Sequence, residues 1–220
     1  MENRLDALLK VARACGRCAA HLPLGPRPVL RAAASARLLI VGQAPGRRVH
    51  ETGVSWNDPS GDRLRQWMQL DRDQFYDTRR IAIIPAGLCY PGTGPSGGLP
   101  PRPECAPYWH PRLVPQLPAL QFALLVGSYA QADYLRAARR KTLTETVRSW
   151  RDYLPMPHPG PRNQMWLRRN PWLAEEVLPF LRNVVQYTMS QPAAAQEAAE
   201  GQIAGRQILP QGVRNCNSDG

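Results

Sequence analysis

The chain has 220 residues and a formal net charge of +11, from 28 Lys and Arg against 17 Asp and Glu. That length supplies one substantial domain with its own core, and no apolar run approaches the ~20 residues that span a bilayer, so no membrane partner is expected. Only Lys10 and Lys141 are lysines; the arginine surplus, each side chain a planar two-pronged phosphate fork, is the footprint of a polyanion such as nucleic acid.

Residues 2–14 place Leu5, Leu8, Leu9 and Ala12 at helical spacing. This opening is charged and amphipathic, unlike a signal sequence, so a cytoplasmic protein is expected, with cysteines acting as ligands or free thiols. A monomer is the expected state. A proline-rich stretch, Pro23 to Leu30, leads to a first predicted strand over Arg37–Val41. Further apolar strands are predicted over Ile81–Ile84, Phe122–Val126 and Tyr153–Met156. Ser128 to Gln131 and Thr142 to Glu145 have capping-box spacing and predict helices opening there. From about Ser190 the sequence is rich in Ala, Gln, Glu and Gly and poorly periodic. The reading is one domain over 1–187 and a disordered tail over 188–220 that carries Cys216.

Strands this apolar are buried on both faces, as in a parallel sheet covered by helices. Their alternation with helical segments predicts an α/β fold, a three-layer α/β/α domain around a central four-stranded, mainly parallel sheet. Binding sites in such sheets lie outside the carboxyl ends of the strands. Gly42 to Gly46, Pro85 to Cys89, Gly127-Ser128 and His158 to Arg162 all fall there.

Two of these segments carry chemistry. In Gly42-Gln43-Ala44-Pro45-Gly46 the terminal glycines allow close approach of backbone to a ligand, and Pro45 fixes the turn. Gln43 can both donate and accept hydrogen bonds, which suits a base edge. In His158-Pro159-Gly160-Pro161-Arg162 an imidazole sits on a loop stiffened by two prolines. Cys15 and Cys18 form a C-x-x-C pair, and Cys89 and Cys105 flank a Gly/Pro-rich loop; soft thiolates in such a set suit an iron–sulfur cluster or zinc.

With Gly53, Trp56, Gly61 and Leu64 following the glycine turn, the chain resembles the uracil-DNA glycosylase superfamily over about residues 1–187. It is most similar to the iron–sulfur branch, often called family 4, as a divergent member. The resemblance implies a base-excision glycosylase that flips a damaged base out of DNA. It gives Trp56 the stacking role, and groups Gly42, Ala44 and Asn57 with it around the base. Gln43 and His158 become the catalytic pair, with His158 stabilising negative charge on the departing base. Gly160 and Arg162 become DNA-contacting, Arg162 filling the gap left by the flipped nucleotide. Cys15, Cys18, Cys89 and Cys105 become the ligands of a structural 4Fe-4S cluster, with zinc as the alternative occupant.

Two positions depart from that pattern. Pro85 stands where the branch has an asparagine that reads uracil, and Asn57 or backbone groups around Ala86 are the candidate substitutes. Ala44 stands where strongly active relatives have aspartate, leaving Glu51 and Asp58 as candidates to orient water. Weak uracil activity, a different damaged base, or none at all are the readings these departures leave. With Lys141 the one lysine between the N-terminal helix and the tail, base removal without strand cleavage is expected. The partner is DNA, single-stranded or damaged duplex. Alternatives are a non-cutting DNA-binding protein of the same fold and, disfavoured by the arginine excess, an enzyme of free nucleosides.

Overall fold

Four apolar segments form one sheet. In the computed structural model, which describes residues 4–95, 97–135, 138–148 and 154–191, the strands are β1 (Leu38–Val41), β2 (Ile81–Ile83), β5 (Phe122–Val126) and β6 (Leu154–Met156), all parallel in the order β2-β1-β5-β6. A two-stranded antiparallel hairpin, β3 (Thr93–Gly94) and β4 (Gly97–Gly98), stands apart from it. The predicted strands are thus found, with Tyr153 lying outside the described residues.

Alternation in the strands shows why both faces are covered. Leu38 and Ile40 of β1, Ile81 and Ile83 of β2, and Leu124 and Val126 of β5 point into one core. That core is closed by α3 (Pro59–Met68), through Leu64, Trp67 and Met68, and by α9 (Leu178–Ser190), through Leu178, Leu181, Val184 and Val185. Leu39, Val41, Ala82, Ile84 and Leu125 point the other way. They meet α1 (Arg4–Arg13), α5 (Cys105–Leu113) and α6 (Ser128–Leu135), through residues such as Leu5, Leu9, Trp109, Leu113 and Ala130. The result is the three-layer α/β/α arrangement, two cores separated by a sheet apolar on both sides.

The remaining helices are α2 (Arg47–Thr52), α4 (Arg72–Tyr76), α7 (Leu143–Arg148) and α8 (Gln164–Arg169). The proline-rich segment also has a structural role. Val29 N–H bonds the Leu88 carbonyl, and Arg31 exchanges backbone bonds with Ile83, covering the outer edge of β2. Among the described residues no helix is long and apolar enough to cross a membrane.

The two predicted capping boxes behave differently. At Thr142 the box forms: Glu145 N–H donates to Thr142 Oγ1 at 3.2 Å, and Thr142 N–H to Glu145 Oε2 at 3.0 Å. At Ser128 the helix starts where expected, but Gln131 is buried and donates its amide to the carbonyls of Met156 and Leu125. Those strand-end carbonyls are buried acceptors, and satisfying them takes Gln131 away from a cap. The C-terminal helix runs to Ser190 with Thr188 fully buried, so ordered structure extends past 187; residues 192–220, including Cys216, lie outside the described residues.

Candidate active site

The turn after β1 has its shape because of Trp56. A Cβ at Gly42 would lie 2.7 Å from Trp56 Cζ2, and one at Gly61 would run into the Trp56 carbonyl oxygen at 1.7 Å. Glycine at both positions therefore lets the indole lie against the turn while α3 starts directly behind it. Trp56 itself has φ 55°, a left-handed conformation costly for an aromatic residue. Arg65, buried in α3, holds it there: its Nη1 donates to the Trp56 carbonyl at 3.2 Å, and its other arm pairs with Asp62. The Tyr76 hydroxyl donates to the preceding carbonyl, that of Ser55.

Helix α3 opens with Pro59 at its first position and Asp58 as its cap, Oδ1 accepting the Gly61 N–H at 2.8 Å. The other carboxylate oxygen, Oδ2, lies toward Gly46, 3.7 Å from where a Cβ there would stand. Asp58 thus serves the helix with one oxygen and faces the glycine turn with the other.

His158 follows β6 on a loop fixed from several sides. Asn163 Nδ2 donates to the His158 carbonyl at 2.7 Å, and Arg63 to the Pro159 carbonyl at 3.1 Å. Gly127, with φ +87°, passes beneath the imidazole close enough that a Cβ would touch it. Gly160 N–H donates to His158 Nδ1 at 3.0 Å. A nitrogen that accepts from an amide carries no proton, so the neutral ring is protonated on Nε2. Burial pushes the His158 pKa below its ordinary 6.5, against the pull of Asp58 and with a push from Arg162. The ring is neutral at pH 7, and it stacks on Trp56 with centroids 5.8 Å apart and planes tilted by 29°.

These groups line one cavity. Gly42 to Gly46, Ser55, Trp56, Asp58 and His158 form one side, and Val29, Val49, Ile83 and Pro85 add an apolar wall. Of the residues singled out in the sequence, Gly42, Gln43, Ala44, Trp56, Asp58 and His158 are brought together there. Glu51 is not: it is exposed and paired with Arg47 at 2.9 Å. Asn57 is also outside the lining, held between Thr52 and the Arg72 guanidinium. Gln43 donates its amide to the Leu99 carbonyl at 2.8 Å, tying the turn to the loop that follows Cys89. Arg162 lies across Gly97 of that loop, its Nη1 1.5 Å from where a Cβ would stand.

Three polar backbone groups of the segment after β2 are engaged. The Pro85 carbonyl accepts from His110 Nε2 at 3.0 Å, Ala86 N–H donates to Gly42 O at 2.9 Å, and Gly87 N–H to Gln43 O at 2.8 Å. The backbone near Ala86, expected as a substitute for the missing asparagine, therefore braces the glycine turn. His110 is fully buried, its Nδ1 accepting from the Tyr134 hydroxyl at 2.7 Å, and burial pushes its pKa down to about 4.

The four cysteines gather in a second region. Each of Cys18, Cys89 and Cys105 feels at least one other thiol of the set as a like charge, and Cys15 is felt by all three. Burial pushes the Cys89 thiol up to about 11 and the Cys105 thiol up to about 12. Leu88 N–H points at Cys105 Sγ at 3.3 Å, a backbone amide likewise serves Cys89, and the Cys18 thiol donates to Glu104. Soft donors from separate segments, with amides aimed at sulfur, have the chemistry of a cluster's ligands. Among the described residues, no three His, Cys, Asp or Glu side chains stand as a group that could hold a metal ion.

Two participants carry no motif in the sequence. Ser55 is a buried cavity-lining hydroxyl, and His110 sits behind Pro85 in the middle of α5. Neither lies at a strand end, and their positions follow only from tertiary packing. The family model of the Uracil DNA glycosylase superfamily matches residues 30–182, a span that contains the glycine turn, Trp56, Asp58 and His158. With more than half of the chain matched, and the predicted sheet and cavity in place, the protein belongs to the uracil-DNA glycosylase superfamily.

Proposed function

We propose that the protein is a monofunctional DNA glycosylase that hydrolyses the N-glycosidic bond of uracil or another deaminated base. The observation that carries this reading is the hydrogen bond from Gly160 N–H to His158 Nδ1, which leaves the proton of the neutral ring on Nε2, inside a cavity shared with Trp56 and Asp58. Cleavage leaves an oxocarbenium-like sugar and an anionic base, so a neutral N–H donor at the base oxygen lowers the barrier. A neutral ring also avoids reprotonating the base too early, since it keeps its proton while sharing it.

In the proposed reaction the flipped base stacks on Trp56 beside the Gly42–Gly46 turn. The glycosidic bond breaks with its electron pair going to the base, held by the His158 N–H. Water adds through oxygen at the sugar carbon, its proton leaves to Asp58 or solvent, and the departed base anion takes up a proton from solvent, so the products are the free base and an abasic sugar. Asp58 is the carboxylate for this role because Oδ2 faces the turn, whereas Glu51 is held outside by Arg47. Gln43 holds the 90–104 loop through Leu99, and Arg162 and Gly160 approach the DNA backbone and the gap in the stack. Cys15, Cys18, Cys89 and Cys105 are the residues that would hold a 4Fe-4S cluster, or zinc, which would serve as a structural pin for the N-terminal segment and the 90–104 loop.

The test is base release from labelled oligonucleotides carrying uracil, hypoxanthine or xanthine, with alkaline cleavage at the abasic product. Release that depends on His158 supports the glycosylase. Tight, salt-sensitive DNA binding without release from any of these bases would favour a non-cutting DNA reader, the alternative to which the engaged Pro85–Gly87 segment points.

A further inference from the structure

A flipped base must be recognised by polar groups, and several of those in and around the cavity are already engaged. The Pro85–Gly87 segment is engaged at every backbone donor and acceptor named above. The Gln43 amide nitrogen is held by Leu99, and Asn57 is tied between Thr52 and Arg72 outside the lining. His158 and Asp58 face the reacting bond in the reading given above. Among the described lining residues, Ser55 is the one with a buried side-chain nitrogen or oxygen that lacks a partner. Ser55 lines the cavity, is 4% exposed, and its Oγ has no hydrogen-bond partner.

A buried hydroxyl without a partner costs about 1–3 kcal/mol and calls for a reason. The cavity it lines does not offer one: its apolar wall is Val29, Val49, Ile83 and Pro85, and none of the polar lining residues bonds the Ser55 hydroxyl. Its own backbone is fixed, the Ser55 carbonyl being held by the Tyr76 hydroxyl and the next residue by Arg65 and Gly61. The hydroxyl is therefore held in one place with its bonding capacity unused.

We infer that Ser55 Oγ is the specificity-determining group of the cavity, forming the hydrogen bond that recognises the polar edge of the flipped base. A hydroxyl both donates and accepts, so it suits the adjacent C=O and ring N–H of a deaminated base. It makes one bond where a carboxamide makes two. The site thus selects the class of oxo-bases more than one member of it, and takes uracil and hypoxanthine with similar affinity. The inference rests on the glycosylase reading for the nature of the ligand.

The experiment separates the two. Affinities are measured for oligonucleotides carrying 2′-fluorinated deoxyuridine or deoxyinosine, whose fluorine blocks base departure, and for the same strand with a tetrahydrofuran abasic analogue. Ser55→Ala should weaken binding of both base-bearing strands about tenfold, the worth of one hydrogen bond, and leave the abasic strand unchanged. Its urea midpoint should equal or exceed that of the parent, because an unpartnered buried hydroxyl has been removed. Equal affinities for parent and variant would overturn the inference, as would equal losses on base-bearing and abasic strands or a lowered midpoint. Base release is followed alongside: His158-dependent release that Ser55→Ala leaves untouched sinks the Ser55 role alone. Ser55-dependent binding without release leaves the Ser55 role standing and removes the glycosylase.

Discussion

The loops that follow β2 and β6 leave the same edge of the sheet, yet their polar groups end differently. In the loop after β6, bonds from Gly160 and Asn163 within the loop and from Arg63 of α3 fix the chain, and the amide on Nδ1 leaves the proton of the neutral His158 ring on Nε2. In the loop after β2, Pro85 O, Ala86 N–H and Gly87 N–H are bonded to His110, Gly42 and Gln43, which makes that segment a brace. The comparison teaches that position at the carboxyl end of a strand selects the candidates, while hydrogen-bond bookkeeping decides which of them act. By this criterion His158 is the residue proposed to act, and Pro85 is wall.

The largest expected effect comes from removing the donor. His158→Ala should lower single-turnover base release about 10³-fold, roughly 4 kcal/mol, with DNA affinity nearly unchanged. A loss of affinity that matches the loss of rate would make His158 a binding residue and erase the contrast between the loops.

The brace has its own signature in pH. The unfolded His110 imidazole takes up a proton below its ordinary 6.5, and the folded one only below about 4. The unfolded state therefore binds more protons across that window, and stability falls as pH drops from 6.5 to 4, by about 3 kcal/mol in total. Urea unfolding at pH 7 and pH 4.5 measures this, and His110→Gln should flatten the dependence. An unchanged slope in that variant would show that other groups set the acid limit.

Asp58→Asn sharpens the division of labour within one side chain. Asparagine still caps α3, so the unfolding free energy from urea titration should stay within about 0.5 kcal/mol of the parent, while base release falls about 10²-fold. Equal losses in Glu51→Gln would reject the choice of Asp58. The smallest effect is steric. Gly42→Ala places a methyl against the Trp56 indole and should cost about 1–3 kcal/mol of stability, together with a blue- or red-shifted tryptophan emission as the ring moves.

Much of this arrangement was legible in the chain. Strands such as Leu38–Val41 and Phe122–Val126 are continuous apolar runs, and a run buried on both faces has one architecture open to it. The cavity's corners were legible for the same reason, because the glycine turn and His158 stand at strand ends. The choice between Glu51 and Asp58 was not, since it depends on Arg47 pairing with one and α3 starting at the other. Gln131 had the spacing of a capping residue, but two buried strand-end carbonyls competed for its amide. Ser55 carried no signal at all: an unpartnered hydroxyl is defined by what fails to surround it, and sequence spacing does not encode that.

The most direct test of the central claim, a neutral His158 donating from Nε2, is the single-turnover rate of base release between pH 4.5 and 8.5 for the parent and His158→Ala. Because the His158 pKa lies below 6.5, the parent rate should be flat above that value and fall by one proton's dependence at lower pH. The variant should be slow throughout and lack the inflection. A parent rate that rises as the imidazole becomes protonated would contradict the account, because the acting species would then be the charged ring.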